Sequence, residues 1–231
     1  MSEEFQRFAK QAGIELPLIL RELYRDGRTS YGPDWPSNWR QRMLDDPPAL
    51  ISVCDFEWNT GDDIATAINS WLDPVYQGGR RFFPFGQSGA GDQYCLMPLE
   101  DDSIGVALIW HDAEHSKIGY SSFEDFVYSK LITAMADLSH LNEDGFSASE
   151  AQQCVLADIE STGRYLSPAM RERLQAISHS TLENRPYQYG PKSRPQMVAS
   201  MISQADEECE VEQFSIGESP TFPIAARWTI R

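Results

Sequence analysis

Between Arg81 and Trp110 the chain holds three short apolar runs separated by two tight connections, and this pattern limits its folds more than any other feature. Arg81 to Phe85 leads into Gly86-Gln87-Ser88-Gly89-Ala90-Gly91. Asp92 to Leu99 follows, then the acidic turn Glu100-Asp101-Asp102-Ser103, and Ile104 to Trp110 closes the set. Connections this short cannot carry a crossover helix, so the runs predict an antiparallel meander. The glycines supply the positive φ that tight connections need. They do not form a phosphate cradle, because no Lys follows them and the next element reads as a strand rather than a helix.

Helical patterns flank the meander. Phe5, Phe8, Ala9 and Ala12 lie on one face of a helix ending at Gly13. Pro17 opens a second, with Leu20, Leu23 and Tyr24 inward and Gly27 as its stop. The proline-rich stretch 28–48 reads mostly as loop, and Leu50, Ile51 and Val53 as a short strand. A helix over 61–72 starts at Thr60 or Asp62 and ends at Asp73-Pro74. Ser121 and Glu124 form a capping box for a helix carrying Phe123, Phe126, Val127, Leu131, Ile132 and Met135.

Further on, Ser147 and Glu150 cap another helix and Ser167-Pro168 starts the next. Residues 184–194 read as loop and 195–205 as helix. Two apolar groups, Cys209 to Ile216 and Ile224 to Ile230, suggest a closing hairpin. The fold class is therefore α+β: a mainly antiparallel sheet with flanking helices, and a C-terminal helical extension with a hairpin. His140 to Phe146 separates residues 1–140 from an extension over 141–231 that can pack back onto the first part.

The charge is concentrated. Of 35 acids and 19 bases, the stretch Met43–Ser116 holds thirteen acids and only Arg80 and Arg81 as bases, a net −11 within a total of −16. A chain so acidic argues against nucleic acid as partner, since phosphate binding needs a basic face. The concentration itself fits two readings: a solvated acidic surface that keeps the protein soluble, or a field that attracts a basic protein partner. No run reaches the ~20 apolar residues of a membrane span. The acidic N-terminus lacks a secretory apolar region. Cys54, Cys95, Cys154 and Cys209 are far apart with no CxxC, which suits reduced thiols and a cytoplasmic location.

His111-Asp112-Ala113-Glu114-His115 is the one compact set of metal-ligand types. On a helix both histidines would share a face. Here they follow a strand, and Gly119 and Ser121 mark a loop before the next helix. A metal-dependent enzyme using His111 and His115 is thus an alternative, not the main reading. No GxSxG elbow surrounds Ser88, and Cys95 lies within a strand pattern. No enzyme activity, metal or cofactor is expected.

Phe82-Phe83-Pro84-Phe85-Gly86, the glycine turn, Gly91-Asp92-Gln93-Tyr94-Cys95-Leu96, Gly105 through Trp110-His111-Asp112, and Ser122-Phe123-Glu124-Asp125-Phe126-Val127 stand in the order and spacing of a known pattern. With Leu16-Pro17 and the helix through Tyr24, this resembles the SUKH superfamily over roughly residues 5–137. Pro17, Gly86, Gly91, Asp92, Trp110, Phe123 and Phe126 carry the motif. The resemblance implies a binding domain: bacterial SUKH proteins are often cytoplasmic immunity proteins that neutralise toxins, many acting on nucleic acid and carrying basic surfaces. Eukaryotic relatives imply the alternative of a regulatory or scaffold module. On the immunity reading the acids at turns and helix starts are the partner-binding candidates: Asp62, Asp63, Glu100, Asp101, Asp102, Asp112 and Glu114; the scaffold reading would use residues 141–231.

Overall fold

A computed structural model of the chain describes residues 3–216 and 221–230. In chain order the helices are α1 (Glu3–Ala12), α2 (Leu18–Arg25), α3 (Trp35–Asp45), α4 (Gly61–Ile68), α5 (Phe123–Ala136), α6 (Ser139–Glu143), α7 (Ala148–Gly163), α8 (Pro168–Ser178) and α9 (Gln204–Glu212). The strands are β1 (Glu57–Trp58), β2 (Phe83–Gln87), β3 (Gln93–Pro98), β4 (Ile104–Ile109), β5 (His115–Tyr120), β6 (Glu183–Tyr187), β7 (Gln196–Ser200) and β8 (Thr221–Pro223). The fold is α+β with a mainly antiparallel sheet. Among the described residues no helix is long and apolar enough to cross a membrane.

The chain divides into two compact units. The first takes the described residues of 1–30, 55–126 and 215–231, and the second takes 31–54 and 127–214, so the division falls within α5.

The first unit is built on a six-stranded sheet in the order β1-β2-β3-β4-β5-β8, antiparallel throughout. The predicted meander is its centre: Gln93 pairs with Ile109 at one end of the β3–β4 hairpin and Pro98 with Ile104 at the other. Both faces are covered, which explains why these strands are apolar almost without alternation. On one face Cys95, Met97, Ala107 and Ile109 pack with Ala67, Trp71, Leu72, Phe82, Phe222 and Ile224. On the other, Phe56, Phe85, Tyr94, Phe123 and Phe126 form an aromatic cluster with ring centroids 5.1 to 6.5 Å apart. Gly86 is fixed by close approach: a Cβ there would lie 2.6 Å from the Phe56 ring and 2.9 Å from the Glu57 carbonyl oxygen.

Several local expectations change. Ser116 to Tyr120 is strand β5 rather than loop, although Ser116 is its one buried residue, with its hydroxyl donating to the Leu108 carbonyl. Among the described residues no hairpin closes the chain. Residues 204–212 are helix α9, while β8 pairs singly with β5, His115 to Pro223. The helix over 61–72 stops at Ile68, and Trp71 and Leu72 reach the core from the turns beyond. The cap of α5 sits one residue later than Ser121–Glu124: Ser122 Oγ accepts the Asp125 N–H at 3.0 Å and donates to its carboxylate at 2.7 Å.

In the second unit, α3 occupies part of what reads as loop. Pro36 falls in its first turn, where the missing N–H has no intrahelical partner to lose. Arg40 on α3 donates to the Glu150 carboxylate at 3.3 Å and stacks over the Phe146 ring at 4.2 Å. Residues 50–53 are turns, not a strand, because a buried side chain takes their N–H groups: Asp158 accepts from Leu50 N–H and Ser52 N–H, each at 2.9 Å. Ser147 and Glu150 do form the capping box of α7, and Pro168 does open α8. Residues 183–200 are the β6–β7 hairpin, paired from Glu183–Ser200 to Tyr187–Gln196, where loop and helix were expected.

Candidate partner-binding surface

All seven candidate acids are exposed, and among the described residues none forms an ion pair. Their own backbone holds several of them instead. Asp62 and Asp63 lie in the first turn of α4, where the Asp63 carboxylate accepts from Thr60 N–H at 2.9 Å and Thr60 Oγ1 at 2.6 Å in a capping box. A negative charge there also meets the positive end of the helix dipole.

Glu100, Asp101 and Asp102 form the β3–β4 turn. Ser103 donates its N–H at 3.0 Å and its hydroxyl at 2.6 Å to Asp101 Oδ1, and these two bonds hold the Asp101 carboxyl below its ordinary range. Asp102 sits at φ 64°, a left-handed conformation that Asp tolerates better than most residues.

Asp112 and Glu114 belong to the β4–β5 turn, at the opposite end of the same hairpin. From Gln93 to Pro98 the strand spans roughly 17 Å at ~3.4 Å per residue. The acidic stretch that is continuous in sequence thus becomes separate patches.

The Asp112–Glu114 end contains more than its acids. The C-terminal segment lies along it, with Ile224 N–H donating to the Glu114 carbonyl and Arg227 N–H to the His111 carbonyl, each at 2.9 Å. This segment brings Trp228, 61% exposed, edge-on to the His111 ring at 5.7 Å. On the adjoining β2–β3 turn, Gly91 adopts φ 91° and Gly89 donates its N–H to exposed Asp55 at 2.7 Å. Asp55 and Trp228 were not among the site candidates read from the sequence. Asp55 stands alone between apolar residues, and Trp228 resembles one more member of an alternating apolar strand.

The structure does not bring His111 and His115 together as a ligand pair. His115 is exposed on β5, opposite Pro223. The ligand atoms that do converge, within 4.8 Å of one another, belong to Asp92, His111 and Asp112. Asp92 is already engaged: Oδ1 accepts the His111 N–H at 3.0 Å and lies 2.7 Å from its Nδ1, while Oδ2 is 3.3 Å from Ser88 Oγ. This arrangement suits a tie between two turns.

The remaining motif positions lie in the same unit. Pro17 is the residue before α2, and its carbonyl accepts the Arg21 N–H at 3.0 Å. Trp110 is half-buried after β4, and Phe123 and Phe126 are buried in the aromatic cluster.

A family model described as SMI1 / KNR4 family (SUKH-1) matches residues 2–129. No curated protein and no solved structure matches the chain. The family match spans more than half of the 231 residues and includes the central meander, both turns beside Asp92 and the start of α5. The chain belongs to the SMI1/KNR4 family (SUKH-1).

Proposed function

We propose that this chain is a non-enzymatic, cytoplasmic binding protein of the bacterial immunity type, which neutralises a basic toxin by stoichiometric occlusion. The observation that carries the reading is the state of the seven acids. They are exposed at turns and at a helix start, with no cation among the described residues paired to them. Their field is directed outward rather than neutralised within the protein. A toxin that acts on nucleic acid has a basic cleft, and an inhibitor with carboxylates on rigid turns can imitate the polyanion.

The two ends of the β3–β4 hairpin have different parts in this account. Glu100, Asp101 and Asp102 speed the encounter. Asp112 and Glu114 do so beside Trp228, whose exposed ring is the kind of aromatic anchor that slows dissociation.

The scaffold reading draws on the second unit, where Tyr189 and Met197 are 52% and 67% exposed on and beside the β6–β7 hairpin. A pull-down from the native cell at low and at moderate salt separates the two. One dominant basic partner, lost with salt or with Glu100, Asp101 and Asp102 neutralised, supports the immunity reading. Many partners, or one indifferent to salt and to those charges, favour the scaffold.

A further inference from the structure

Helices α7 and α8, both in the second unit, carry none of the seven candidate acids. A groove of about 590 Å³ runs between them. Its floor is apolar, with Ile159 on α7 and Leu174 on α8 buried. Its rim includes Arg164 and Arg171, with Glu160 and His179 also on the lining. Two guanidinium groups against one carboxylate make the groove locally cationic in a chain of net charge −16. Among the described residues Arg171 has no ion pair, although the chain offers 35 acids.

Gly163 supplies an independent observation. It is the last residue of α7 and lines the groove. Its φ is not in the left-handed region, so the backbone does not require glycine there. A Cβ built on it meets nothing within 4 Å, so packing does not require glycine either. The missing side chain leaves open space on the lining of a groove that Arg164 and Arg171 also line.

We infer that the α7–α8 groove is a binding site for a small anionic amphiphile, a carboxylate or sulfonate carried on an aliphatic or aromatic body. The volume lies within the range of small-ligand sites, which combine an apolar lining with a few charged groups that orient the ligand. The apolar body would lie over Ile159, Gly163 and Leu174. The anionic group would sit between Arg164 and Arg171, where an Arg fork can take a carboxylate through two N–H donors.

The test is titration of the full chain with decanoate below its micelle concentration, followed by calorimetry, with decylammonium as the cationic control. Three proteins are compared: wild type, Gly163→Leu, and Arg164→Gln/Arg171→Gln. The leucine replaces a helical glycine in open space, so its melting temperature should not fall, and lost binding then reports a filled groove rather than an unfolded protein. The expected result is one saturable site for decanoate in the wild type, weakened at least tenfold in each variant, and no such site for decylammonium. Absence of a decanoate site overturns the assignment. Equal binding of the two amphiphiles overturns it, as does decanoate affinity unchanged in Gly163→Leu.

Discussion

Asp92 and His111 are joined twice: the Asp92 carboxylate accepts the His111 backbone N–H at 3.0 Å and lies 2.7 Å from its Nδ1. One residue precedes β3 and the other follows β4, so the pair clamps the end of the central hairpin that bears Asp112, Glu114 and Trp228. Asp92→Ala should cost about 1–3 kcal/mol through the donors left unpaired. Thermal unfolding should show a Tm lower by roughly 2–4 °C per kcal/mol. Asp92→Asn keeps an acceptor for the His111 N–H and should cost less.

The same pair gives the enzyme alternative a direct check. A structural tie needs no metal, so protein purified without chelators should carry no stoichiometric zinc or manganese. A stoichiometric metal lost in Asp112→Asn would instead assign Asp92, His111 and Asp112 as ligands and favour the enzyme reading.

Buried Asp158 organises the segment Leu50–Ser52. Its carboxylate accepts from Leu50 N–H, Ser52 N–H, Ser52 Oγ and Thr162 Oγ1 at 2.7 to 2.9 Å. Asp158→Asn turns an amide N–H₂ toward one pair of donors. It should cost about 2–4 kcal/mol, since each buried unsatisfied donor costs about 1–3 kcal/mol. Denaturant unfolding should show the midpoint falling, with Asp158→Ala lower still.

His140 makes this region pH-sensitive. Its Nε2 lies 3.0 Å from the Ser52 carbonyl, and burial lowers its pKa below the ordinary histidine value, opposed in part by that bond and by Asp137, Asp144 and Glu143. The unfolded chain therefore binds a proton that the folded chain resists. The resulting stability is present above the unfolded value of ~6.5 and is lost as pH falls from there through the folded pKa. Stability should decline on acidification below about pH 6.5, with a shallower slope in His140→Gln. An unchanged slope would remove His140 from this role.

Phe222 on β8 tests how far the sheet depends on the C-terminal segment. Its ring stacks on Phe82 at 6.2 Å and is buried in the first unit's core. Phe222→Ala should cost about 3–5 kcal/mol. A chain cut at residue 140 would lose β8 altogether, so independent folding of 1–140 is best measured by comparing its melting transition with that of the full chain.

The central architecture was legible because its signals are local. The meander shows as apolar runs and glycine turns. Helices α1, α2, α4, α5, α7 and α8 show as apolar stripes with recognisable starts.

The missed elements lack such stripes. The buried face of α9 carries Glu207 and Glu210 rather than apolar residues, with Glu210 held by Arg173 and by Tyr128 Oη at 3.1 Å. Ser203 caps that helix with Asp206, a signal present in the sequence but unsupported by periodicity. In β7, Met197 faces solvent while Val198 and Ser200 are buried, so counting Met197 as core suggests a helix. The acidic candidates were legible individually. So was the separation of Glu100, Asp101 and Asp102 from Asp112 and Glu114, which flank the run Ile104 to Trp110; the C-terminal segment beside the second group was not, because its pairing with β5 is long-range.

Whether exposed acids drive the encounter is decided by the association rate of the captured basic partner across a range of ionic strength. Wild type is compared with Glu100→Gln/Asp101→Asn/Asp102→Asn. Asparagine at 101 can still accept from Ser103, and at 102 it tolerates the left-handed conformation, so the turn should survive. At ~0.15 M salt the field of each turn is screened within about 8 Å, so losing three charges should be felt locally. The wild-type rate should fall steeply with salt, and the variant should associate about tenfold more slowly at low salt with a shallower dependence. Equal rates and equal salt slopes for the two proteins would contradict it.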